Sequence, residues 1–157
     1  MRVWAAAASL LVLAACSPPE PGCPEIGSPS GVAVTVLAPY AAQVQGLRLE
    51  VCWSGRCTEE TVELSPGSDT VDQGCSGSDA DDTCSATAVP NGTLVGFLPV
   101  AQLPTGEVTV RGTVTAGGRT VPLTRVTRNA GTTFPNGPRC GPGGNQLAVT
   151  IDRAGIG

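Results

Sequence analysis

The cysteines limit what this chain can fold into more than any other feature. Seven of them stand in 157 residues, and only 3% of the chain is aromatic. A core of small aliphatic side chains is thin, so covalent cross-links must carry part of the stability. An odd cysteine count in an exported protein leaves one thiol to explain. Cys16 stands directly behind "LLVLAA", the end of the chain's long apolar run, and before an abrupt change to "SPPEPGCPEIGSPSG". A basic residue (Arg2), a short apolar core and small residues at the boundary are the parts of an export signal. The run is shorter than the roughly 20 apolar residues of a membrane span. Setting Cys16 aside leaves Cys23, Cys52, Cys57, Cys75, Cys84 and Cys140, an even set suited to disulfides in an oxidising compartment.

The four residues Leu13-Ala14-Ala15-Cys16 closely resemble the lipobox of bacterial lipoprotein precursors. That resemblance implies that residues 1–15 are a cleaved signal and that Cys16 becomes the mature N-terminus. Its sulfur would carry a diacylglyceryl group with chains such as palmitate. Two acyl chains, at about 0.8 kcal/mol per buried methylene, anchor a protein stably without a transmembrane helix. The expected location is extracytoplasmic, on the cell membrane. All nine basic residues are arginine, a bias of high-GC genomes that with the lipobox points to an actinobacterial source. Residues 16–30, rich in proline, glycine and serine, read as a tether. With Cys23 tied to the domain, only Ser17 to Gly22 stay free, a reach of ~19 Å at ~3.1 Å per residue.

Residues 31–157 read as one all-β domain. "GVAVTV" puts Val32, Val34 and Val36 on one face, and "GLRLEVCW" does the same for Leu47, Leu49, Val51 and Trp53. If Ser54-Gly55 forms a two-residue turn back into "RCTEETVEL", Cys52 faces Cys57 in a non-hydrogen-bonded pair. Such a pair brings Cα atoms to about 4.5 Å, within reach of a disulfide. The same register sets Glu50 against Glu59, an unfavourable pair that a bulge or longer loop would relieve. "LSPGSDTVDQGCSGSDADDTCSATAVPNG" reads as loop, closed locally by Cys75 and Cys84, with "PNG" at Pro90 to Gly92 as a turn. "GEVTVRGTVTAGGRTVPLTRV" is a hairpin turning at Gly117-Gly118, with Val121 opposite Val114 and Leu123 opposite Gly112. Pro122 cannot donate to a ladder, which places the return strand at an edge or at a bulge. Leu147, Val149 and Ile151 alternate in the last strand, and Cys140 is left to pair with Cys23.

"LPTGEVTVRGTVTAGGRTV" resembles the later strands of bacterial immunoglobulin-like domains, where a proline and glycine corner precedes an alternating strand and a Gly-rich hairpin. "CWSGRC" and "PNGPRCGPGG" are similar to segments of small actinobacterial lipoproteins. The resemblance implies an immunoglobulin-like antiparallel β-sandwich pinned by disulfides. Valine stands where many such domains carry tyrosine, so the tyrosine-corner hydrogen bond is missing.

The chain has neither histidine nor lysine. Ser-His-Asp and Cys-His arrangements, Ser-Lys pairs, Schiff-base lysines and histidine metal sites each lose an indispensable member. No enzyme activity and no cofactor are expected, and the formal net charge of −4 argues against nucleic acid as a partner. The one candidate ion site is Asp79, Asp81 and Asp82 in a bridged loop, whose oxygens suit calcium, although a solvated acidic loop is the preferred reading. Acids crowd Glu50 to Asp82 and arginines crowd Arg111 to Arg153, which reads as neutralisation within one fold. The expected function is a non-catalytic module that binds an envelope protein or wall polymer, with a contact near Arg111 and Arg125. The alternative is a structural or accessory subunit of an envelope complex. Both readings expect Cys16→Ser to leave a folded domain that fractionates as soluble; firm membrane association of that variant would contradict the lipobox assignment.

Overall fold

The computed structural model describes residues 22–157, so the signal segment and Cys16 lie outside the described residues. The strands are β1 (Gly31–Val36), β2 (Val44–Trp53), β3 (Arg56–Val62), β4 (Leu64–Cys75), β5 (Cys84–Pro99), β6 (Gly106–Ala116), β7 (Arg119–Thr132), β8 (Asn145–Asp152) and the short β9 (Gly155–Ile156). Among the described residues the only helical turns are 3-10 segments at Tyr40–Gln43 and Pro138–Cys140.

The strands follow one path, β3-β2-β6-β7-β8-β1-β5-β4, with β9 on β8. Alternation decides which side of that path is inside. Val32, Val34 and Val36 of β1, Leu47, Leu49 and Val51 of β2, Val108, Val110 and Val114 of β6, and Leu147, Val149 and Ile151 of β8 join a single buried cluster. The two halves of the path therefore face each other across one core. β7 serves both, lying beside β6 along Gly106–Ala116 and beside β8 at Gly131 and Thr132. On the opposite flank β3 passes into β4 through Glu63 alone. Gly96 of β5 admits that crossing, because a Cβ there would stand 2.7 Å from the Glu63 carbonyl oxygen and 2.7 Å from Val62 Cγ1.

One pair departs from the expected antiparallel pattern. β1 and β8 run parallel, with Val32 beside Leu147 and Val36 beside Ile151, so the sheet is mixed. The segments that lead into both strands are bound together: the Gly144 N–H donates to the Ser28 carbonyl, and a disulfide joins Cys23 to Cys140. Two strands that start from one place and lie side by side must run the same way. Contacts of Ser28, Pro29 and Ser30 with Thr133, Asn145 and Gln146 also remove residues 28–30 from the expected tether.

The turns behave as their residues require. Ser54 and Gly55 have φ of 46° and 76°, a primed two-residue turn that sets Cys52 against Cys57, and those two are bonded. Gly117 and Gly118, with φ of 56° and 76°, turn β6 into β7.

The largest correction concerns the stretch expected to be loop. Within it residues 64–75 and 84–92 are strand, the latter running on into the strand expected from Thr93, and the two pair from Leu64 opposite Gly96 to Cys75 opposite Cys84. The inner part of this hairpin belongs to the sheet, with Leu94 beside Val36. Beyond it, from Ser68 opposite Pro90 to the tip, every residue of the two strands is exposed. The "PNG" residues do not make the hairpin's turn. They form an irregularity in the ladder, with Asn91, Gly92 and Thr93 standing against Gly67 alone. The arm is a two-stranded ribbon held by backbone hydrogen bonds and the Cys75–Cys84 bond at its tip, and it needs no apolar alternation because neither face is covered.

Core and arm should therefore respond differently to truncation. Leu49→Ala should cost about 2–5 kcal/mol in denaturant unfolding, whereas Val71→Ala and Val89→Ala on the arm should each stay within about 0.5 kcal/mol. Comparable losses at both places would contradict the division.

Candidate functional site

The arm is the part of the molecule that does nothing for the core. Its paired strands run about seven residue steps beyond the sheet, roughly 23 Å. β1 starts at the Cys23–Cys140 pole with Gly31 and ends at Val36. β5 pairs with it from Pro99 beside Gly31 to Leu94 beside Val36. Followed back toward its start, β5 therefore carries the arm away from the disulfide-bound pole. No basic residue lies between Arg56 and Arg111, so Asp69, Asp72, Asp79, Asp81 and Asp82 leave the arm purely acidic. Along its length β4 has β5 on one side only, because it ends the strand path.

The arm's polar groups fix its shape. Asn91 Nδ2 donates to Asp69 Oδ1 at 2.8 Å across the ribbon, and the Gly74 N–H donates to Asp72 Oδ1 at 2.7 Å. At the tip the Asp79 N–H donates to Asp82 Oδ2 at 2.7 Å, while the Asp82 N–H donates back to the Asp79 carbonyl at 3.1 Å. Asp82 therefore spends one carboxylate oxygen on the turn. Asp79, Asp81 and Asp82 do not converge into a cation cage. Among the described residues the one group of three potential ligand residues with ligand atoms within 4.8 Å of one another is Glu50, Cys52 and Cys57, and there the two sulfurs are bonded to each other.

Charge is neutralised in one place and left open in another. On the outer face of β3-β2-β6, Glu50 lies opposite both Glu59 and Arg111. Arg111 grips Glu50 with two nitrogens, Nη2 to Oε1 at 2.9 Å, and Arg48 Nε stands 2.9 Å from Glu59 Oε1. The acid pair that a bulge or a longer loop would have relieved is thus accommodated in regular register by two guanidiniums. Arg48 meets Glu59 within the β2–β3 hairpin, whereas Arg111 reaches Glu50 through the β2–β6 register, which local sequence does not display. Arg111 is consequently engaged, while Arg125, also singled out from sequence, has no carboxylate within 4.0 Å among the described residues; nor does any aspartate of the arm have a guanidinium partner. Full internal neutralisation is therefore corrected: it holds for the β3-β2-β6 face and fails for the arm.

The remaining recesses offer little chemistry. One is lined by Leu37, Ala38, Pro39, Tyr40, Asp152, Arg153 and Ala154. Another, at the disulfide pole, is lined by Gly22–Pro24 and Asn136–Cys140. Neither joins a nucleophile to a base. No protein-family model, no curated protein and no solved structure matches this chain.

The Arg111 hydrogen bond holds the Glu50 carboxyl below the usual carboxylate range, and Arg48 does the same for Glu59. The folded protein then binds fewer protons than the unfolded chain in mild acid. This stabilisation is complete above the ordinary glutamate pKa and is lost as pH falls through the lowered values. In a carboxyl NMR titration, Arg111→Gln should move the Glu50 midpoint upward toward that of a free glutamate. An unmoved midpoint would contradict the pairing.

Proposed function

We propose that the protein is a membrane-anchored extracytoplasmic lipoprotein, a non-catalytic interaction module that presents its acidic β4–β5 arm to a protein partner. The arm carries this reading. A ribbon exposed on both faces, cross-linked at its tip and lined with uncompensated aspartates has no role in the core, and it is costly to retain unless something else contacts it. A basic protein surface complements it, whereas an anionic wall polymer would be repelled. Oxidised cysteines at all three pairs agree with an extracytoplasmic address.

The domain itself we read as an immunoglobulin-like sandwich. The order β1-β5-β4 on one side and β3-β2-β6-β7 on the other corresponds to the B-E-D and C′-C-F-G layers of that architecture. β8 takes the outer place beside β1 that the first strand occupies in such domains. The segment whose sequence resembles the later strands supplies β6 and β7, which fall at the F and G positions.

The absence of lysine gives a clean test. A zero-length carbodiimide reagent joins carboxylates to amines, so in native membranes the arm can couple to partner lysines but to no lysine of its own chain. Cross-links should map to Asp69, Asp72, Asp79, Asp81 or Asp82 and disappear when these five are changed to asparagine. Cross-links that persist in that variant would contradict the arm as the contact. A single recurrent envelope protein on the other side would favour the accessory-subunit version of the same role.

A further inference from the structure

The two most exposed large apolar side chains among the described residues are Ile26, at 59%, and Phe134, at 48%. They belong to one place in the fold. The Ile26 N–H donates to Asn136 Oδ1 at 3.3 Å and Asn136 Nδ2 donates to the Ile26 carbonyl at 3.0 Å. The Gly137 N–H closes the same turn on the Phe134 carbonyl at 3.0 Å, and the Cys23–Cys140 bond locks the two segments together. The backbone thus holds both side chains on a cross-linked pole that leaves them outside the core. Arg139, exposed and next to Cys140, is the cation of this pole, with Glu25 beside Ile26 as its acid.

The chain enters the described structure here, at Gly22. Six residues, Ser17 to Gly22, separate this pole from Cys16 and span at most about 21 Å even when fully extended. An N-terminal lipid at Cys16 therefore keeps Ile26 and Phe134 within reach of the headgroup region, where aromatic and apolar side chains partition and arginine finds phosphate. The charge distribution agrees, because the acidic arm projects from the opposite end and an anionic leaflet repels it.

We propose that the pole formed by Ile26, Phe134 and Arg139 rests on the bilayer, with the two apolar side chains in the interface and the arm directed away from the membrane. This rests on the anchoring of Cys16 proposed above and adds an orientation: the domain does not tumble freely on its tether.

Hydrogen exchange of the full protein tests it. The chain is produced in an exporting bacterial host, and its intact mass reports whether Cys16 carries lipid. It is then placed in vesicles of phosphatidylethanolamine and phosphatidylglycerol and compared with the Cys16→Ser variant free in solution. Amides in 25–28 and 133–140 should exchange several-fold more slowly on vesicles, while 68–91 should not change. Ile26→Ser with Phe134→Ser should abolish the protection and leave the protein membrane-bound. Lipid on Cys16 with equal exchange at the pole would overturn the orientation while leaving the anchor standing. If the mass shows no lipid, the anchoring reading fails on its own, and the unlipidated protein is mixed with the same vesicles. Slower exchange at the pole would then sustain the bilayer contact, and unchanged exchange would overturn it.

Discussion

Burial of alternate small aliphatic side chains is the interaction on which the rest of this structure depends. β1, β2, β6 and β8 each send every second residue inward, and the cluster they form contains no buried charged or polar side chain among the described residues. Valine and leucine lose little side-chain freedom on burial and suit the pleated backbone. At about 25 cal/mol per Å² they still contribute less per residue than aromatic side chains, which make up only 3% of this chain. Each cross-link therefore matters more than it would in a domain with a larger core. The Cys23–Cys140 bond closes the longest loop and, in the chain-entropy account, contributes on the order of 4 to 5 kcal/mol.

That bond also sets the direction of the molecule. By holding the lead-in segments of β1 and β8 together it makes these strands parallel, and the antiparallel partner β5 then leaves the sheet at the far end. The arm's position follows from the connectivity of the core without any contact of its own. Its acidity is unopposed for the same reason. Arg48 and Arg111 are committed to Glu59 and Glu50 across β2, and the ribbon has left the sheet before any other guanidinium comes into ion-pair range.

Much of this was legible in the residues. The period-two sets Val32-Val34-Val36, Leu47-Leu49-Val51 and Leu147-Val149-Ile151 named their buried faces. Ser54-Gly55 fixed the facing of Cys52 and Cys57, and Pro122 marked β7 as a strand at an edge or bulge. In the β6–β7 ladder Val110 faces Val126 and Gly112 faces Leu123, so β7 carries the extra residue of an irregularity at Thr124 and Arg125, just beyond Pro122. The arm escaped because a ribbon open to solvent on both faces carries no alternation: Gly, Ser and Asp between Leu64 and Gly92 look the same in a loop and in an uncovered ladder. Pro90-Asn91-Gly92 signalled a turn correctly as local chemistry, but the fold uses it to interrupt a ladder. The parallel β1–β8 pair and the burial of Tyr40 and Leu103 depend on contacts far apart in sequence, which no local pattern encodes.

An ordered arm standing clear of the core is what the contact surface requires. Small-angle X-ray scattering of the exported protein with Cys16→Ser, alongside a variant in which residues 68–91 are replaced by a two-residue Asn-Gly turn, measures this directly. A compact chain of this length has a radius of gyration of about 14 Å. A projecting arm should give a clearly larger value and an extended tail in the distance distribution, both of which shrink when the arm is removed. A parent protein already near the compact value, and unchanged in maximum dimension by the deletion, would mean that the arm folds back onto the domain, and the surface offered here as its contact would not exist.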